Sequence, residues 1–166
     1  IIGDGYVNPL NGRMDEFRVA TAARSDGWIE TCFNNQSDPS GFITIGTEEK
    51  NWYDLAWRYR KKIVIDHTQA AGDLVDVPVC ITFPNDADLA AHAQNDGDDI
   101  LFTSDDGSTK LSHEIEEYDG ATGKLAAWVK VPLLSSTEDT ILYMYYGNPD
   151  ASNQEDVTGV WDANYI

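Results

Sequence analysis

The sequence predicts an all-β fold, an antiparallel and jelly-roll-like β-sandwich with a few short helices. Four runs are rich in β-branched and aromatic residues and alternate in part between apolar and polar positions. Turn-forming pairs such as Asp106-Gly107, Asp119-Gly120 and Gly147-Asn148 separate the runs. Strands that follow one another at intervals of about ten residues are typical of sandwiches and barrels. The four runs are residues 61–66, 77–83, 125–131 and 140–146.

The first fifty residues have a different composition. We expect strands at residues 12–19 and 41–46, with a helix at residues 25–33 between them. Ser25 or Asp26 can cap this helix. Two strands and one short helix cannot close a core, so this part of the chain needs a packing partner. The expected apolar face of the helix consists of Trp28, Ile29, Cys32 and Phe33.

Three further elements complete the expected order. Residues 86–94 predict a short helix that Asp86 or Asp88 can cap. Residues 113–117 predict a charged strand, and residues 157–166 end in a strand-like run with Val160, Trp161 and Tyr165.

The charge and composition exclude several classes of protein. The 166 residues include 29 acidic side chains and 11 Lys and Arg, which gives a net charge of −18. Such a chain is repelled by nucleic acid and by anionic membrane surfaces. A hydrophobic fraction of 42 % is too high for a disordered acidic tail. The apolar runs are strand-length, so we expect no membrane span.

The two cysteines, Cys32 and Cys80, are too few for a disulfide scaffold, and no Cys-x-x-Cys motif is present. They are expected as two buried thiols or as one bridge in an oxidising compartment. The chain has no initiator Met and no signal peptide, and it begins at Ile1 and ends at Ile166. We therefore expect a segment of a longer protein or a processed product.

The middle of the chain contains five motifs: Trp57-Arg58-Tyr59-Arg60-Lys61-Lys62, Asp98-Asp99-Ile100-Leu101-Phe102, His113-Glu114-Ile115-Glu116, Trp128-Val129-Lys130-Val131-Pro132 and Tyr145-Tyr146-Gly147-Asn148. In these motifs it resembles a domain family of undefined function from large secreted prokaryotic proteins. The first part of the chain contains Gly12-Arg13-Met14-Asp15-Glu16-Phe17-Arg18-Val19, Ala23-Arg24-Ser25 and Trp28-Ile29. In these motifs it resembles the C-terminal end of a laminin-G/concanavalin A-like jelly roll.

These resemblances imply three parts. Residues 1–50 would end one jelly roll, residues 51–150 would form a complete β-sandwich, and residues 151–166 would be a linker and the first strand of a following jelly roll. They also imply an extracellular or cell-surface location. A strand at residues 160–166 would then pair with residues 1–46, within the chain or from a neighbouring copy.

Two acidic loops are candidate calcium sites. Asp96, Asp98 and Asp99 lie in one loop, and Asp105 and Asp106 lie in another. Calcium takes six to eight oxygen ligands, and a cation relieves the repulsion between close carboxylates. Neither loop has the EF-hand pattern, and ordinary solvated turns explain the same residues.

Four residues are candidates for binding a glycan. The rings of Trp128 and Tyr146 could stack on a sugar, and Glu114 and Glu116 could bind its hydroxyl groups. The two carboxylates lie about 7 Å apart by strand rise, a spacing that glycosidases also use. The alternatives are a core position for Trp128 and structural ion pairs for the two glutamates.

The chain contains none of the common nucleophile, zinc-protease or phosphate-loop motifs, which favours a protein that is not an enzyme. We therefore expect a non-catalytic module that binds glycans or mediates adhesion, with calcium as a possible cofactor. The alternative is a structural repeat whose partners are neighbouring copies, assembled into a fibre or surface layer by strand addition.

Overall fold

The computed structural model describes residues 20–49 and 53–161. These residues form eight strands, β1 to β8 in chain order: Ile43–Glu49, Tyr59–Ile65, Leu74–Phe83, Leu101–Thr103, Lys110–Leu111, His113–Asp119, Lys124–Leu134 and Thr140–Tyr146. They also form helices α1 to α4: Asp26–Ser37, Pro39–Phe42, Ala87–His92 and Val157–Val160. A 3₁₀ turn spans His67–Gln69.

The described strands pair in two antiparallel sheets, which confirms the predicted all-β sandwich. The first sheet has the order β1-β2-β8-β4-β5, and the second has the order β3-β7-β6. The longest pairing joins β3 to β7, from Leu74 opposite Leu134 to Phe83 opposite Leu125. The run predicted at residues 140–146 is β8 without a shift at either end.

The core lies between the sheets and follows the two-residue period of the strands. In β2 the inward positions include Ile63 and Ile65, and neither side chain has exposed surface. In β3 the inward side chains are Val77, Val79 and Ile81, which belong to the same core cluster. The alternation seen in the sequence therefore sets which face of each strand is buried.

Helix α1 covers the outer edge of β3. Ser25 caps the helix as predicted, with its hydroxyl accepting a hydrogen bond from the Trp28 N–H. The Asn35 side chain accepts from the Cys80 N–H at 2.7 Å and donates to the Cys80 carbonyl at 2.9 Å. This amide occupies the place of a neighbouring strand.

The buried face of α1 matches the expected one at Trp28 and Cys32 but differs from it at Ile29 and Phe33. Ile29 and Phe33 are 56 % and 68 % exposed, whereas Thr31, Cys32 and Asn35 are buried. The Asn35 amide bonds to the edge of β3 and so turns a polar side of the helix inward. The hydrophobic periodicity of the sequence does not predict this orientation.

Strand β1 extends the first sheet beside β2, with Ile43 opposite Ile65 and Glu49 opposite Arg60. The predicted strand at residues 12–19 lies outside the described residues. The assignment of residues 1–50 to a preceding jelly roll stays a prediction, and so does that of residues 151–166 to a following one.

The tail beyond β8 contains a helical turn where the sequence suggested strand-like character. Val157–Val160 form α4 because the Asp156 carboxylate accepts the Gly159 N–H at 3.1 Å and caps the turn. The expected strand at residues 160–166 therefore does not include Val160, and residues 162–166 lie outside the described residues.

None of the helices in residues 20–49 and 53–161 combines the length and hydropathy of a bilayer-crossing segment. Cys32 and Cys80 are both buried, and no disulfide joins them.

His113 on β6 is a titratable group inside the core. Its ring has no exposed surface and meets the Phe102 ring edge-on, with centroids 5.2 Å apart. Burial lowers the pKa of His113 below its usual value.

The lowered pKa predicts an acid-dependent loss of stability. As the pH falls below about 6.5, His113 binds a proton in the unfolded chain but stays neutral in the folded core. The free energy of unfolding should therefore fall by up to about 1.4 kcal/mol per pH unit. In urea unfolding between pH 7 and pH 5.5, the wild type should lose more stability on acidification than His113→Phe does. The control variant His67→Gln should lose as much stability as the wild type. If the free energy of unfolding falls equally with pH in wild type and in His113→Phe, the prediction is wrong.

Candidate functional site

Three of the four predicted glycan-binding residues meet on the outer face of the second sheet. Trp128 is 3 % exposed and donates its indole N–H to Glu116 at 2.8 Å. The Trp161 indole N–H donates to Glu114 at 2.6 Å. The two indole rings lie 5.5 Å apart at 54°. These contacts tie the segment after α4 to β6 and β7, and the buried Trp128 ring offers no open face to a sugar.

A bulge in β6 sets this arrangement. The pairing with β7 shifts between Ile115 and Glu117, so Glu116 has no partner residue on β7. Glu114 lies opposite Trp128 in the register. Both carboxylates therefore bind indole N–H groups, and neither forms an expected structural ion pair with another described residue.

The fourth predicted residue, Tyr146, lies at one end of the core and has no exposed surface. Its hydroxyl donates to Glu48 at 3.0 Å, and His92 Nδ1 lies 2.9 Å from the same carboxylate oxygen. The Tyr59 ring stacks on His92 with centroids 4.0 Å apart. Burial, reinforced by Glu48, raises the pKa of Tyr146. We call Glu48, Tyr59, His92 and Tyr146 the Glu48 cluster.

A buried ion pair lies at the same end of the core. Lys61 points inward in phase with Ile63, and its side chain is 6 % exposed. Its ammonium group contacts Asp86 and lies 2.9 Å from Asp88. Asp86 also caps α3 by accepting the Leu89 N–H. The two carboxylates thus neutralise the charge of a lysine whose position in β2 directs its side chain toward the core.

A small pocket opens beside the Glu48 cluster, with a volume of about 240 Å³. Its lining residues are Arg58, Tyr59, Ala91, His92, Ala93, Gln94, Gly147 and Pro149. Gly147 has a φ of +86°, and a Cβ there would lie 2.4 Å from the Tyr59 ring. A glycine is therefore required at this wall of the pocket.

The first predicted calcium loop separates its carboxylates. Asp96 is exposed and Asp98 is half-buried, whereas Asp99 has no exposed surface. The Asp99 carboxylate accepts the N–H groups of Gln94 at 2.9 Å, Gly147 at 2.7 Å and Asn148 at 2.9 Å. Burial raises the pKa of Asp99, although these three bonds oppose that shift. Asp99 thus joins two loops, and calcium binding here stays a prediction.

The second predicted loop is an ordinary capped turn. Asp105 is exposed. The Asp106 carboxylate accepts hydrogen bonds from the N–H groups of Ser108 and Thr109 and from the hydroxyl groups of Ser104 and Thr109. The Thr109 hydroxyl, ahead of the other donors, lowers the pKa of Asp106. This geometry is that of a solvated turn, and calcium binding at Asp105 and Asp106 stays a prediction.

A different set of potential metal ligands comes together in the described residues. Ligand atoms of Asp66, His67 and Asp139 lie within 4.8 Å of one another. The His67 ring and N–H both contact Asp139, and Asp66 caps the 3₁₀ turn. Each side chain therefore already has a local structural role.

The sheet edges differ in how they are covered within the described residues. Asn35 covers β3, and β5 has only two residues. The edge of β6 is bonded by the tail, since His113 O accepts from the Asp156 N–H and the Ile115 N–H donates to Glu155. Among residues 20–49 and 53–161, strand β1 pairs with β2 on one side and with no strand on the other.

An apolar groove of about 750 Å³ runs beside β1. Its lining residues are Pro39, Ser40, Ile43, Thr44, Ile45, Thr82, Phe83, Pro84, Glu117, Lys124, Leu125 and Ala126. The Lys124 ammonium group and the Glu117 carboxylate pair at 2.6 Å on its rim.

No sequence motif singles out Glu48, Lys61 or His92 as a member of a site. One local signal was available. Lys61 alternates in β2 with Ile63 and Ile65, so its side chain faces the core, and a buried ammonium group requires a carboxylate partner. Nothing local identifies Glu48, which lies 98 residues from its partner Tyr146.

Residues 96–164 match a protein family described as a domain of unknown function (DUF2341). The match runs from the loop before β4 through β8 and α4, and it supports the resemblance of the central block to a family of undefined function. It does not extend to the proposed laminin-G-like piece at residues 1–50. No curated protein and no solved structure matches the chain.

Replacing Asp99 tests its role in joining the two loops. Asp99→Ala leaves three N–H donors without an acceptor and should cost about 3 kcal/mol or more in the free energy of unfolding. Asp99→Asn should cost less, because its amide oxygen still accepts the Gly147 and Asn148 N–H groups. Urea unfolding measures both, with the exposed Asp96→Ala as control. Equal losses for Asp99→Ala and Asp96→Ala would rule out this role.

A double-mutant cycle tests the contact between the tail and β6. Glu114→Ala and Trp161→Phe should be coupled by about 1 kcal/mol, since the phenylalanine keeps a ring and removes the N–H. The same cycle with Trp57→Phe, whose indole bonds Asp99 elsewhere, should give no coupling. Similar coupling in both cycles would mean that the indole–carboxylate bond is not the cause.

Proposed function

We propose that this chain is a structural β-sandwich module of a large extracellular or cell-surface protein, and that two copies join by strand addition at β1. The observation that carries the proposal is the difference between the sheet edges. In the described part of the chain, α1 and the tail cover β3 and β6, whereas β1 has seven residues and an open edge. Unpaired backbone groups on such an edge are a template for another strand.

The sequence of β1 suits antiparallel pairing with itself across a two-fold axis. Ile43 and Ile45 lie toward one end, and Glu48 and Glu49 lie at the other. Antiparallel pairing places the acidic end of one strand beside the aliphatic end of its partner, which keeps like charges apart. The same surface serves both copies, as an isologous interface requires.

The apolar groove supplies the space for the partner strand. Ile43 is buried, and Ile45 packs against the core, so both side chains point inward. The inward side chains of an added β1 would lie over the groove. Two isoleucines from the second copy are chemically matched to its lining of Pro39, Phe83 and Leu125.

The positions of the predicted glycan ligands support a structural role for that surface. Trp128 is buried, and Glu114 and Glu116 each accept an indole N–H. The resulting contacts fix the tail on the sandwich. The extracellular location and the non-catalytic character of the proposal are supported by the family resemblance and by the motif pattern.

Sedimentation of the full chain at increasing concentration and salt tests the proposal. Two chains of net charge −18 repel each other, and the Debye length shrinks from about 30 Å at 0.01 M salt to about 10 Å at 0.1 M. A dimer should therefore become tighter as NaCl is added. Ile45→Glu should abolish it, whereas Thr137→Glu, the same charge on an exposed loop, should not.

Hydrogen exchange of the β1 amides gives a second measurement if Ile45→Glu fails to fold. These amides should gain protection on dimerisation, and amides of the β7–β8 loop should not. A wild type that stays monomeric at every salt concentration would refute the proposal, as would a dimer whose β1 amides exchange freely.

A further inference from the structure

The pocket beside the Glu48 cluster contains a cation, Arg58, that has no carboxylate partner among the described residues. Arg58 is exposed and lines the pocket, and its guanidinium group makes no ion pair with any described residue. By contrast Arg60 pairs with Glu49, and Lys61 pairs with Asp86. In a chain with 29 acidic and 11 basic side chains, an arginine that faces a pocket without a carboxylate is an available anion-binding group.

Two other side chains that line the pocket, those of His92 and Gln94, can accept hydrogen bonds. A carboxylate can only accept, so the bond to Glu48 places a proton on His92 Nδ1. In the imidazole with a single proton, Nε2 is then an acceptor. The Gln94 side chain donates its amide N–H groups to Asn148 O at 2.8 Å and Ala151 O at 3.0 Å. Its carbonyl oxygen remains as the second acceptor.

These groups are held in place before any ligand arrives. The ring of Tyr59 stacks on His92, while Glu48 fixes the Nδ1 side of the imidazole. The Asp99 carboxylate binds the N–H groups of Gln94 and Gly147, which lie on two walls of the pocket. Such preorganisation lowers the entropy lost on binding.

We propose that this pocket binds a uronic acid unit or a similar small polyhydroxy carboxylate. The guanidinium fork of Arg58 matches a planar carboxylate, and hydroxyl groups of the ligand donate to His92 Nε2 and Gln94 Oε1. A volume of about 240 Å³ lies below the 300–1,000 Å³ of pockets for drug-sized ligands, so it suits a single sugar ring. This site is independent of the proposed strand addition at β1.

Titration of the full chain with sodium glucuronate, followed by the NMR signals of the His92 ring, tests the proposal. Glucuronate should shift these signals in a saturable way. Glucose, which lacks the carboxylate, and acetate, which lacks the hydroxyl groups, should each bind at least about 10-fold more weakly. Inorganic phosphate serves as the general anion.

Two matched variants locate the binding. Arg58→Gln should weaken glucuronate binding about 10-fold or more. Lys62→Gln, which removes a cation from the opposite face of β2, should leave it unchanged. The proposal fails if glucuronate does not saturate, if acetate or phosphate binds equally well, or if both variants behave alike.

Discussion

The buried carboxylate of Asp99 is the contact on which the organisation of one end of the sandwich depends. Its oxygens bind backbone N–H groups from the loop after α3 and from the turn after β8. Its own carbonyl accepts the Trp57 indole N–H at 2.7 Å, one residue before Arg58. A single residue therefore fixes three segments that are far apart in the sequence, and the walls of the small pocket follow from their positions.

The same end of the core is polar because the two-residue alternation of the strands continues beyond the apolar cluster and turns polar side chains inward. Lys61 and Tyr146 occupy core-facing positions where the sandwich opens, and each is satisfied by a carboxylate from another element. A buried ion pair adds little net stability over a well-packed apolar pair, but it is costly to break. This polar end fixes how α3 sits on the sheets, and α3 carries His92 into the pocket.

The edges of the two sheets differ in whether they can pair with a further strand. The side chain of Asn35 imitates a strand on β3, and the backbone near Asp156 bonds the edge of β6. Both devices come from segments outside the eight strands, so the helix and the tail determine which edge stays open within the described residues. In the described part of the chain, this selective covering leaves the edge of β1 and the apolar groove beside it without a partner strand.

The sequence by itself determined the longer elements of this protein, because their signals are local, but it did not predict the short strands β4 and β5 or the helical turn α4. Alternation located β8, Ser25 located the start of α1, and the acidic residue before an apolar run located α3. Only the tertiary structure decided what the polar residues do. Asp96 and Asp99 look alike in the sequence, yet one is exposed and the other is buried against Gly147, 48 residues from Asp99. Such partners depend on how the two sheets pack, and no local pattern encodes that contact.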